Sequence, residues 1–180
     1  NFDALANQTV TVTTTDNDTA AFTLGAISGT VTEGGSTATF TVVLDAQPDS
    51  NVVISVTSGD TGEATVSASS LTFTAANWDT PQTVTVTGVD DNIIDGNQNT
   101  TITMSVDDDN SDNNFDALAD QTVTATTTDD DTAGFTLSTT TATVTEGGST
   151  ATFTVVLDAQ PDSDVVISVT SGDTGEATVS

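Results

Sequence analysis

Val, Ile, Phe and Leu alternate with Thr and Ser along most of this chain, and the period is two: TATFTVVL at 37–44, VVISVT at 52–57 and QTVTVTG at 82–88 are the clearest runs. Successive side chains of a strand point to opposite faces, so such runs predict half-buried β-strands, and the Gly, Asn, Asp and Pro clusters between them predict turns. Seven strands are expected, over 22–32, 37–44, 52–57, 64–73, 82–88, 100–106 and 121–128. Ala38, Phe40, Val42, Leu44, Val52, Ile54 and Val56 fall on the inward face of the second and third, and Leu71 and Phe73 close the fourth. Val84, Val86, Ile102, Met104, Val106 and Val123 complete the expected core. No segment carries a helical period. Short alternating strands in this number and spacing predict an all-β, immunoglobulin-like antiparallel sandwich.

The pattern repeats. Residues 1–67 and 114–180 match at an offset of 113 with ten differences, at 7, 12, 17, 21, 25–29 and 51. That period is too long for one coil of a solenoid and fits an independently folding domain. The expected organisation is therefore tandem: 1–20 is the last strand and linker of a preceding repeat, 21–133 a complete repeat, and 134–180 the first four strands of the next. Such a window predicts an internal stretch of a longer polypeptide.

Charge changes the picture. The chain has 27 acidic residues and no Lys, Arg or His, a formal charge of −27, so the counter-charge has to come from outside. Nucleic acid and anionic membrane are poor partners for such a chain, and no apolar run is long enough to span a bilayer. Without Cys or His there is no disulfide framework and no nitrogen or thiolate metal site, which leaves oxygen ligands. Oxygen-only sites favour the hard cations Ca²⁺ and Mg²⁺, and carboxylates on flexible loops suit the larger, more tolerant calcium shell.

In an up-and-down sandwich, the first, third and fifth turns and the exit of the last strand lie at one end. Glu33 is in the first of these turns (VTEGGS), Asp60 and Glu63 in the next (SGDTGEA), and Asp90, Asp91 and Asp95 in VDDNIIDG. Asp129, Asp130 and Asp131 follow the last strand. Nine acids from four distant segments at one pole are more than a solvated end requires, and they predict bound cations there. The partial copies carry Asp16, Asp18 and Glu146 at the corresponding places, with Asn17 in the middle of the first run.

The residues GVDDNIIDGNQNTTITMSV (88–106), followed by TTTDDDTAGFTL (126–137), closely resemble the Calx-beta domain, the calcium-binding module of sodium/calcium exchangers and of many large extracellular proteins. The resemblance spans the whole period. It implies that Asp90 and Asp91, the acid Asp95, the run Asp129 to Asp131 and Glu33 hold a group of calcium ions, with Ile93 adding its backbone carbonyl. Gly96, Asn97 and Gln98 lower the charge of that loop relative to the family, which implies fewer ions or weaker binding. Asp60 and Glu63 stay open as alternatives. Neither an EF-hand loop nor the glycine-rich nonapeptide of repeats-in-toxin proteins occurs.

Other features have plainer readings. The loop 106–120, with Asp107, Asp108, Asp109, Asp112, Asp116 and Asp120, is expected at the opposite pole as a solvated loop rather than a second cation site, with Phe115 and Leu118 packing it down. Trp78, the single Trp, is expected to plug the core rather than mark a carbohydrate or protein contact. Alternating Thr is ordinary for the wet face of a strand, and a twisted sandwich offers no long flat ice-binding array. Asn7, Asn17 and Asn99 begin Asn-x-Thr sequons, which matter only in a glycosylating host. Catalysis is not expected, since the chain has no His, Lys, Cys or Arg for nucleophile, base or clamp. Two functions remain: a calcium-loaded repeat in an extended stalk or filament of a secreted surface protein, associating with neighbouring repeats and with identical chains in a fibre, or an adhesive module gripping a glycan or protein through 106–120 or Trp78.

Overall fold

The computed structural model describes residues 3–180; Asn1 and Phe2, at the head of the expected segment 1–20, lie outside the described residues. The strands are β1 (Phe22–Leu24), β2 (Ser28–Gly29), β3 (Val31–Thr32), β4 (Thr37–Leu44), β5 (Val52–Ser58) and β6 (Ala64–Val66). They continue with β7 (Ser70–Phe73), β8 (Gln82–Gly88), β9 (Gln98–Val106), β10 (Gln121–Thr128), β11 (Phe135–Leu137) and β12 (Val155–Leu157). One sheet has the order β1-β4-β8-β6 with β2 also on β4, and the other has the order β3-β10-β9-β5-β7. Pairing is antiparallel throughout these two sheets except between β3 and β10.

The core lies between the two sheets. Phe40, Val42, Val84 and Val86 from one and Val52, Ile54, Val56, Phe73, Ile102 and Met104 from the other are fully buried. Burying one such side chain is worth roughly 1.5–3 kcal/mol, and a one-residue slip of β4 or β5 would turn the whole set outward, so the alternation fixes the register. Val106 and Val123 are half-buried and packed on the same cluster.

Two expected strands are divided. The segment 22–32 forms three pieces: β1 and β2 pair with β4, and the chain then crosses so that β3 joins β10 in the other sheet. The crossing follows Gly29, whose φ of +110° is open to glycine but costly for a residue with a Cβ. The segment 64–73 likewise splits, β6 pairing with β8 and β7 with β5. Both strands move from one sheet to the other partway, which alternation cannot signal because each piece keeps one face inward.

The partial copies pair less than the sequence suggests. Residues 8–15 repeat β10 with one substitution, Val12 for Ala125, yet they form no strand and Val10 is 88% exposed. In 134–180, β11 pairs with β12 as β1 pairs with β4, and no further strand is present among the described residues. Phe153 and Val165, the copies of buried Phe40 and Val52, stay exposed. A strand needs hydrogen-bonded neighbours and an opposing sheet, and the described residues hold no counterparts of β8 and β9 to supply both for these copies.

Candidate metal centre

The site is built where β3 ends, β10 exits and the loops 59–63 and 89–97 meet. Glu33 immediately follows β3 and its N–H donates to the Thr128 carbonyl at 3.2 Å, fixing the turn against the end of β10. Val89 N–H donates to the Glu63 carbonyl at 2.9 Å, and Thr127 Oγ1 donates to it at 3.2 Å. Gly88 admits the loop at this point: a Cβ there would lie 2.3 Å from the Thr32 carbonyl oxygen, so only glycine lets β8 and β3 approach this closely.

Local hydrogen bonds shape the acidic segments. Asp129 Oδ1 accepts from Asp131 N–H at 2.8 Å, and its Oδ2 accepts from Gly96 N–H at 2.8 Å, which ties the run after β10 to the 89–97 loop. Asp91 Oδ1 accepts from Ile93 N–H at 2.7 Å, and the Ile93 carbonyl accepts from Asp95 N–H at 3.0 Å, keeping its second lone pair. Asp60 Oδ1 accepts from Gly62 N–H at 2.9 Å.

Glu33, Asp129 and Asp131 each bring a carboxylate oxygen within 4.8 Å of the other two. Glu33 is 2% exposed. Its Oε2 and the Oδ2 of Asp131 are buried with no hydrogen-bond partner, although a buried charged oxygen without a partner costs several kcal/mol on the order expected for an unpaired ion. Burial, chiefly, and the charges of Asp129 and Asp91 push the Glu33 carboxyl up to about 7, against a smaller opposing effect of the Asp130 amide. Glu63, half-buried, is raised by burial and by Asp95, Asp60 and Asp91. Asp131 is raised by desolvation and by Asp129, Asp130, Asp91 and Asp90. These mutual effects put Glu33, Glu63, Asp60, Asp90, Asp91, Asp95 and Asp129 to Asp131 in one negative field with no positive side chain in the chain to balance it.

Within that field the residues differ in position. Asp91, Ile93, Asp129 and Asp131 are half-buried, while Asp60, Asp90, Asp95 and Asp130 are exposed. Of the alternatives Asp60 and Glu63, Glu63 lies deeper and Asp60 is engaged in its own turn. The copies Asp16, Asp18 and Glu146 are exposed and stand in segments without strands. Hard, oxygen-only donors around two orphaned buried oxygens suit a hard divalent cation, and thiophilic or nitrogen-seeking metals find no ligand here.

At the opposite pole the loop after β9 holds a residue whose role its sequence did not signal. Asp112 is 4% exposed, and its Oδ2 accepts from the N–H groups of Asp49 (2.7 Å) and Ser50 (2.9 Å) while Oδ1 accepts from Asn114 N–H at 2.9 Å. These bonds hold its carboxyl below the usual range, so it is an anchor for the turn between β4 and β5. The signal available was the spacing D-x-N at 112–114, a local Asx turn. Phe115 is buried, and Leu118 and Trp78 pack against the core, with the Trp78 carbonyl accepting from Leu44 N–H at 3.1 Å.

No family model matches the chain, and no curated protein matches it. Among solved structures it is similar to SSP-19, an MSP-domain protein like family member of Caenorhabditis elegans, with 16% identity over 56% of this chain and 91% of that one and a TM-score of 0.36. It is also similar to the E. coli chaperone DraB, with 8% identity over 61% of this chain and 54% of that one and a TM-score of 0.40. At such scores neither likeness bears on function.

Proposed function

We propose that residues 21–133 are one calcium-binding, immunoglobulin-like repeat of seven strands, similar to the Calx-beta domain, in a tandem array that forms an extended stalk or filament of a secreted surface protein. The reading rests above all on Glu33: a carboxylate 2% exposed, one oxygen without a partner, beside Asp129 and Asp131 in a chain with no basic residue. Glu33, Asp129 and Asp131 would hold one ion, and Glu63, Asp91 and Asp95, with the Ile93 carbonyl, would extend the cluster. An ion supplies there the charge balance that the protein lacks. Near-identical repeats add length more readily than they add distinct specificities, which supports a spacer. Trp78 is half-buried and packs on the core, which supports a plug more than an adhesive contact. Titrating the complete repeat with Ca²⁺ in a calorimeter tests the reading: binding is expected, lost in Glu33→Ala, and a flat trace for the unsubstituted protein overturns it.

A further inference from the structure

The loop that carries Asp91 and Asp95 also touches the start of the next unit. Gln160 N–H donates to the Asn92 carbonyl at 2.6 Å, and Ile93 and Gln160 form an isolated parallel bridge. Gln160 lies in the turn that follows β12, and that turn is held beside the first residue after the linker by Asp158 N–H to the Gly134 carbonyl, 3.0 Å. The complete repeat makes the same closure, Asp45 N–H to the Ala21 carbonyl at 2.9 Å, so the turn sits at the entrance of each unit. The copy of Gln160 there, Gln47, is exposed. The chain path thus brings the 89–97 loop of one repeat and the entrance turn of the following repeat to the same linker.

We propose that Asn92–Ile94 is the surface by which each repeat docks the entrance turn of the following repeat, and that the backbone bond between Gln160 and Asn92 sets the angle of the joint. The alternative is apolar contact. Ile94 does face a cleft lined by Phe135, Leu157, Ala159, Pro161 and Val165. Their copies Phe22, Leu44, Ala46, Pro48 and Val52 are all buried inside the complete repeat, so those side chains belong to the core of the next unit. What remains for the joint is the peptide group of Gln160, whose copy Gln47 is exposed in the complete repeat.

The proposal rests on the tandem reading but not on calcium. The test uses a protein of two complete repeats, made by continuing Ser180 with residues 68–133 and free of native Cys, with spin labels at Thr83→Cys in β8 and Thr150→Cys, the copy of exposed Thr37, at a fixed saturating calcium concentration. Gln160→Pro removes the donor and is expected at least to double the width of the label-to-label distance distribution. Gln160→Ala keeps the donor and Ile94→Ser removes the apolar contact, and both are expected to leave the width unchanged. An unchanged width in Gln160→Pro overturns the proposal, as does broadening of equal size in Gln160→Ala or in Ile94→Ser. Calcium binding is read separately by calorimetry on the same samples, so the widths are compared between variants at equal metal occupancy and a failure of the metal reading is seen apart from a failure of the joint.

Discussion

Replacing Asp112 by Ala should cost the complete repeat more than any other acid-to-alanine change in the 106–120 loop. The carboxylate accepts three backbone N–H groups at 2.7–2.9 Å and is 4% exposed. Hydrogen bonds to a charged group contribute about 1.5–3 kcal/mol each, but Asp49, Ser50 and Asn114 are exposed and their freed N–H groups can turn to water, so the lower end applies. The expected loss is then about 4.5 kcal/mol, or roughly 20 °C in melting temperature for a domain of this size. The assay is urea and thermal unfolding followed by circular dichroism at constant calcium, with Asp108→Ala as the comparison because Asp108 is exposed. A loss in Asp112→Ala no larger than in Asp108→Ala would refute the reasoning, since it would mean that the turn between β4 and β5 holds its shape without the carboxylate.

Three further outcomes are expected. Asp90→Asn with Asp91→Asn should weaken calcium binding at least tenfold by calorimetry, while Asp108→Asn with Asp109→Asn, at the other pole, leaves it unchanged; equal losses would contradict the assignment of the poles. In metal-free protein, the Glu33 carboxyl near 7 is protonated in the native state at pH values where the unfolded chain has released its proton, so stability present below about 4.5 is lost as pH rises towards 7. The melting temperature should fall over that window, less so in Glu33→Gln, whereas Asp112, with its lowered value, loses its contribution only as pH drops below 3.8. A two-repeat protein should give a narrow set of end-to-end distances by small-angle scattering in calcium and a broader one in chelator, because Asp129 to Asp131 lie on the linker and repel one another without an ion.

Local chemistry was legible from sequence and tertiary completion was not. The turn Asp131 N–H to Asp129 Oδ1 (2.8 Å) recurs in the first copy as Asp18 N–H to Asp16 Oδ1 (3.0 Å), although the strand before it is absent. Gly62 with Asp60 and Gly175 with Asp173 likewise form the same 2.9 Å bond. Such turns depend on neighbouring residues alone and form wherever the motif occurs. Strand pairing depends on distant partners, so identical segments are paired in 21–133 and largely unpaired in 134–180. The inward faces of β4, β5, β8 and β9 followed from alternation, but the division of 22–32 between sheets did not, because it is set by the crossing at Gly29. Glu33 was expected at the acidic pole, yet nothing in VTEGGS foretells its burial, which comes from the end of β10 lying across the turn. Asp112 was read with its solvated neighbours because its partners Asp49 and Ser50 are more than sixty positions away.

The central claim is that a divalent cation satisfies the orphaned carboxylates, and thermal unfolding of the complete repeat in millimolar calcium against excess chelator tests it most directly. A ligand at a hundredfold its dissociation constant stabilises the fold by about 2.7 kcal/mol, so a rise of roughly 10 °C is expected for one ion, with a smaller rise in magnesium. The same melting temperature in calcium and in chelator would contradict the account.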